Sequence, residues 1–440
     1  MKQEYFHIGP GADLTGKDLY GQDLFGRDLS GAILRNSNLT KANLSNSTLH
    51  GTDLTGAILD WANLSDAKVD SKTKLPFELY ATLLCRIDFS GADLRSHSYR
   101  DVDLSGANFT DANLEGGFFG STGLRESIFF GTKLRNANFD NKWLIGINFE
   151  NADLTDATFR SANLAETNLR NANLTNAVLN LANLSGADLE GTIFSGASLR
   201  SVSLEGADLR NRDLINVIFT DSDLSNANFS GSTLTDSKFH KANLTGAKFT
   251  GAKLLRCEFL SADLSGADLF GADLDYVNFE RTKLINMDFR NRSLVGSRFR
   301  FANLRKANFT HADLRNADIV GADLTGAKLA WANLTNANLR DANLSETNLT
   351  CAVLSNAKFS EASLRNSKLV AAKATKANFR NAKLDGANLS NADFTEANLR
   401  YAKIRESVLD GTILEGAHLR NADFSGTKIL DSQLKVANLS

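Results

Sequence analysis

The chain has 440 residues, with 49 Lys+Arg against 51 Asp+Glu and only 2 Pro. A formal net charge of -2 argues against both a strongly acidic mimic of nucleic acid and a generally basic nucleic-acid binder, since each depends on a dominant field of one sign. The amino-terminal MKQEYFHIGPGADL has no apolar core of signal-peptide length, and no apolar run is long enough to span a bilayer, so a soluble cytoplasmic protein is expected.

Residues 1–11 carry no periodicity and read as an N-terminal cap segment, with Tyr5, Phe6 and Ile8 placed to plug the core that follows. From residue 12 a period of five takes over. Between Leu14 and Val69, and again between Phe89 and Leu439, every residue whose number ends in 4 or 9 is a repeat centre, 83 in all; each is Leu, Phe, Ile or Val apart from Tyr99 and Ala374. The residue two before a centre is usually small and the one just before it is often Asp or Asn, as in ADLSGADLFGADL at 262–274. Helices repeat about every 3.6 residues and strands about every 2. A period of five therefore requires the chain to turn at each unit, bringing the large residue and the small one inward, which is the pattern of a solenoid.

The Phe positions count the sides. Of 21 Phe centres, eight leave 9 on division by 20 and ten leave 19, a modulation of ten that requires an even number of sides. Four sides and 20 residues per coil fit, giving an all-β quadrilateral β-helix of about 21 coils. At about 4.8 Å per coil it would be a rod roughly 100 Å long. These units resemble the pentapeptide repeat family, whose A(D/N)LXX motif is matched along nearly the whole chain. The resemblance implies a right-handed helix, a hand that spacing alone does not set. Family members include gyrase-targeting DNA mimics, secreted bacterial effectors and many cyanobacterial proteins without an assigned activity, so the resemblance speaks to fold more than to role.

The domain plan is thus a cap (1–11), repeat coils (12–69), a non-repeat excursion (70–88) and repeat coils again (89–440). In the excursion, DSKTKLPFELYATLLCRID, Pro76 suits a first helical turn and Leu75, Leu79, Leu83 and Ile87 recur every four residues. The spacing predicts a short amphipathic helix that either packs on the outside near Ile58, Trp61 and Tyr99 or docks a partner, with Leu75, Phe77, Leu79, Tyr80 and Leu83 as the candidate surface.

Site chemistry is sparse. The frequent Asp and Asn before each centre read as turn residues bonding to backbone rather than as metal ladders. Cys85, Cys257 and Cys351 lack metal-ligand spacing, and the six His are dispersed. No metal, cofactor or enzymatic activity is expected. Trp61 and Trp331 take corner positions, and Trp143 the slot usually held by Asp or Asn; all three read as packing residues.

Two surface features rise above this background. Around the middle of the chain, Leu255, Leu260, Phe270, Tyr276, Ile285, Val295 and Phe301 are outward and apolar, though spread over several sides. Towards the end, Arg380, Arg400 and Arg420 occupy one outward position on three successive coils, with Tyr401, Lys383, Lys403, Arg405 and His418 nearby and Arg300 and Arg340 in the same column. Like charges about 5 Å apart invite an anionic partner unless Asp385, Glu406 and Asp423 neutralise them. The repeat runs to Leu439 and Ser440 with no helix or polar cap, so the last coil is expected to be closed by a second copy, end to end, or by another protein. The leading functional expectation is a non-catalytic rod acting as a protein-interaction scaffold or spacer. The alternative is a nucleic-acid-related role, as a topoisomerase-binding mimic or through the Arg strip, which the lack of acidic excess makes the weaker reading.

Overall fold

The computed structural model describes residues 7–95, 97, 99 and 101–438. Tyr5, Phe6 and Leu439, for which capping or core roles are expected, lie outside the described residues. The chain divides into two compact units, Met1–Leu204 and Glu205–Ser440.

Within each unit the five-residue period builds the same side. The centre is buried, the small residue two before it is buried beside it, and the residues between and after them point outward. Successive coils are joined by single-residue parallel bridges that pair each residue with the one 20 later, such as Asp13 with Ile33 in unit 1 and Asp208 with Asn228 in unit 2. Three backbone bonds tie each regular side to its neighbour: Leu14 N–H donates to Ile33 O at 2.7 Å, Ile33 N–H to Ala12 O at 2.8 Å and Gly16 N–H to Arg35 O at 2.8 Å. A fourth closes the corner, Lys17 N–H to Leu14 O at 3.1 Å. The second corner residue has a positive φ, as a type II turn demands; this explains the frequent Asn, Asp and Gly there, for example Asn36 at 57° and Gly56 at 71°.

Side chains complete the turn. The Asp or Asn before a centre accepts the N–H two residues on, as Asp13 Oδ1 does from Thr15 N at 3.0 Å, so these residues hold corners, as expected. Where the inner slot carries Thr, Ser or Cys instead of Ala, its side chain commonly donates to a centre carbonyl, either one coil back, as Thr132 Oγ1 to Phe109 O at 2.8 Å and Cys257 Sγ to Leu234 O at 2.8 Å, or three residues back, as Ser37 Oγ to Leu34 O at 2.8 Å. Most of these inner-slot hydroxyls thus find partners in an otherwise apolar core, although Ser47 Oγ finds none among the described residues.

The four-sided count holds. Phe rings stack along two opposite walls, Phe109 on Phe129 at 4.9 Å and Phe119 on Phe139 at 4.7 Å, and meet edge to face across the core, Phe119 to Phe129 at 6.0 Å. Unit 2 repeats the arrangement from Phe219 to Phe309. Offset and edge-on ring pairs add about 0.5–1.5 kcal/mol each beyond area burial.

Two expectations are corrected. Residues 70–88 form no helix; they wind as another coil. One extra residue before Lys74 shifts its bridge to Asp53, 21 apart instead of 20, and one fewer before Leu79 restores the register, so that Asn63 again pairs with Leu83. Thr73 hydroxyl donates to Leu49 O at 2.7 Å, taking the inner slot one position late. Leu79 and Ile87 are core centres or inner residues, whereas Leu83 is 46% exposed, so the four-residue spacing does not define one face. The second correction lies near the end. Among the described residues a single helix, α1 (Asp431–Lys435), replaces one side of the final coil. The Gln433 amide donates to Thr412 O at 2.9 Å and Leu409 O at 3.1 Å, standing in for the backbone and inner-slot donors that a regular side would offer. Asn438 then returns to register against His418. Among the described residues no helix is long and apolar enough to cross a membrane.

Candidate functional site

Two of the three thiols are shifted upward by their surroundings. Cys257 is fully buried, and burial pushes its thiol far above the usual range. Cys85 is raised to about 11 by partial burial and by the neighbouring Asp103, whose carboxylate accepts from Sγ at 3.1 Å. Among the described residues no group of three His, Cys, Asp or Glu converges as a metal site.

The first candidate surface is the irregular coil of unit 1. Of the five residues proposed there, Leu79 is buried at 1% exposure and Leu75 half-buried, so both belong to the core; Phe77 (66% exposed), Tyr80 (50%) and Leu83 (46%) point outward. The preceding coil contributes Ile58 (50%) and, at the corner that leads to the next side, Trp61 (62%); Leu83, bridged to Asn63, belongs to that next side. The register shift explains the display: with Pro76 drawn into the buried slot, Phe77 is carried to the surface, where its ring lies 6.5 Å from His97.

The apolar residues of unit 2 do not make one surface. Leu255 is half-buried; Phe270 and Tyr276 are exposed but sit on different sides. Each is matched by a neighbour one coil on: Arg292 lies over the Phe270 ring at 4.9 Å, and Tyr276 occupies the space above Gly296, where an added Cβ would come within 2.7 Å of the ring. Phe301 lies over Gly321 in the same way, at 2.5 Å.

The Arg column of unit 2 is the second candidate surface. Two of the three counter-charges expected for it are taken elsewhere. Asp385 pairs with Arg405 at 2.8 Å and Arg365 at 3.3 Å, and Asp423 lies 3.8 Å from Arg405. Burial raises the Asp385 carboxyl, and the two Arg bonds outweigh it, leaving it below the usual range. Arg300, lower in the column, reaches Asp318 at 3.7 Å. Arg340, Arg380, Arg400 and Arg420 have no ion pair among the described residues. Arg380 lies 5.8 Å from the Tyr401 ring centre, and Asn378 and Asn398 hold the Arg380 and Arg400 backbone N–H groups at 3.1 and 3.2 Å. Sequence reasoning located the column but not its freedom from counter-ions, because Asp385 lies on the adjacent side and its choice of Arg365 and Arg405 depends on side-chain reach between coils.

Comparison with known proteins follows this geometry. The profile described as "Pentapeptide repeats (8 copies)" matches residues 11–69, 86–196, 262–366 and 375–440 in overlapping stretches, and that described as "Pentapeptide repeat region" matches 192–270. Residues 70–85, most of the irregular coil, fall in an unmatched gap. Among solved structures, the chain is similar to HetL, a pentapeptide repeat protein involved in heterocyst differentiation regulation from the cyanobacterium Nostoc sp. strain PCC 7120, with 29% identity over 50% of this chain and 88% of that one (TM-score 0.21). It is similar to the pentapeptide repeat protein Rfr23 of the cyanobacterium Cyanothece 51142, with 29% identity over 30% and 90% (TM-score 0.20). A third is a pentapeptide repeat protein of the Arabidopsis thaliana thylakoid lumen, with 25% identity over 34% and 81% (TM-score 0.19). No curated protein matches the chain.

Proposed function

The chain belongs to the pentapeptide repeat family, and on that premise we propose that it is a non-catalytic scaffold that binds other proteins through the outward faces of its coils. The family's fold is the right-handed quadrilateral β-helix, an architecture whose interior is filled by its own repeat centres. Function then falls to the surface.

One observation carries the reading. Ile58, Trp61, Phe77, Tyr80 and Leu83, all between 46% and 66% exposed, gather on two successive coils of unit 1 where the register is disturbed. Clustered exposed apolar side chains mark interaction surfaces, and Trp and Tyr are the residues that most often anchor them. A partner protein presenting an apolar anchor of its own fits this patch.

Deleting 70–88 would remove a coil and its core centres, so surface substitution is the cleaner test. The triple variant Phe77→Ser/Tyr80→Ser/Leu83→Ser should keep the melting temperature of the parent and lose a stoichiometric protein recovered with the intact chain from its native cells after mild crosslinking. Retention of the same partner by the triple variant would refute this assignment of the docking surface.

A further inference from the structure

We propose that the Arg column of unit 2 docks an acidic α-helix of a partner protein, laid along the coil axis with its carboxylates on successive rungs. The inference stands independently of the apolar patch of unit 1.

Three features support it. Arg380, Arg400 and Arg420 rise one per coil on one outward column, and none has an ion pair among the described residues, although most exposed Arg side chains of unit 2 do. Arg guanidinium pairs carboxylates in a bidentate fork, the strongest of the charged hydrogen bonds available at a surface. Below them the column is interrupted by Ser360, which opens a notch of about 480 Å³ between Arg340 and Arg380 with Lys358 at its side. The carboxylate in the notch, Glu361, is held by the Asn381 amide. A ladder of cations with a cationic recess at its foot is left to be met from outside.

Spacing selects the occupant. Rungs about 4.8 Å apart put Arg380 and Arg420 about 9.6 Å apart. A stripe of acidic residues on a helix repeats about every 5.4 Å, so two turns span about 10.8 Å, a drift of about 1 Å that a flexible Arg side chain absorbs. Same-face side chains of an extended segment recur about every 6.7 Å and would drift by about 4 Å over the same rungs. Nucleic acid fits less well. Sequence-tolerant single-strand binding uses several aromatic platforms, and from Arg340 to Arg420 this column is bordered by Tyr401 alone.

The test uses the full chain and three fluorescent probes: a synthetic helical peptide with Glu at every third or fourth position on one face, a scrambled isomer of equal charge, and a single-stranded oligonucleotide. Anisotropy at low and at physiological salt reads the affinity. The striped peptide should bind at least tenfold more tightly than its isomer. Arg380→Gln/Arg400→Gln/Arg420→Gln should remove that difference, while Lys238→Gln/Lys248→Gln/Lys253→Gln, which removes the same charge on other sides, should leave it. Replacing the three Arg by Lys keeps charge and fold and should give an intermediate loss. Equal binding of striped and scrambled peptides, equal losses in the two Gln variants, or tighter binding of the oligonucleotide would each overturn the proposal.

Discussion

Tyr99 is the repeat centre whose chemistry conflicts with its place. Its ring stacks on Phe119 at 5.4 Å and 9° and is 0% exposed, as the Phe column requires. Its hydroxyl is buried without a hydrogen-bond partner among the described residues. An unsatisfied buried polar group costs about 1–3 kcal/mol relative to one in water, and Phe fills the same ring volume. Tyr99→Phe should therefore stabilise unit 1 by about 1–3 kcal/mol. Coils of a solenoid open locally, so amide hydrogen exchange across residues 99–124 is the sensitive assay, with protection rising about tenfold per 1.4 kcal/mol. Alkaline pH supplies a second signature. Burial holds the phenol protonated well past its ordinary pKa, whereas the unfolded chain ionises near pH ~10. The parent thus loses stability as pH rises above that value, and the Phe variant lacks this contribution. A variant less stable than the parent by about 1 kcal/mol would show that the hydroxyl is satisfied and refute the reasoning.

Other expectations follow from single residues. Gly321→Ala places a Cβ at φ +66°, 2.5 Å from the Phe301 ring, and should cost about 1–2 kcal/mol by denaturant unfolding, with part of the loss recovered in the double variant Phe301→Ala/Gly321→Ala. Gln433→Ala removes two bonds to carbonyls of the last regular coil and should raise amide exchange around Leu414 and Leu419 without shifting the main unfolding transition. The Asp53 carboxyl is held far below its ordinary pKa, chiefly by Arg35 at 2.7 Å and with help from Thr55 and Lys74, against the opposing effect of burial. A depressed folded pKa contributes stability that is fully present above about pH 4, the unfolded value, and is lost as pH falls through the folded one. Asp53→Asn should therefore be destabilising at pH 7 and converge on the parent in acid, as read by pH-dependent melting.

The regular coils were legible because five-residue spacing requires a turn at each unit and the Phe remainders require an even number of sides, which four sides fit. Residues 70–88 were not, because 20 positions between Val69 and Phe89 describe a coil as well as an excursion, and Leu75, Leu79, Leu83 and Ile87 imitate a helix when the true event is a compensated insertion and deletion. The chain end misled for a related reason: Phe424, Ile429 and Leu434 keep the period, while the turn between them is helical and depends on Gln433. One overlooked signal was available. Lys17, Gln22 and Arg27 fill three successive inner slots of the first coil, whereas Lys142, Arg212 and Arg292 stand singly further on, and the structure leaves Gln22 and Arg27 exposed, so a run of polar inner slots marks the edge of the first coil. Of the surface candidates, the Arg column could be located from a 20-residue map, but its unpaired state could not.

The central claim is that this chain acts by holding proteins against its outer faces. Crosslinking mass spectrometry on the intact protein in its native cells tests it most directly. The account predicts intermolecular crosslinks from protein partners concentrated around residues 58–83 and along the Arg340 to Arg420 column. Crosslinks spread evenly over all sides of both units, with neither surface enriched, would contradict it.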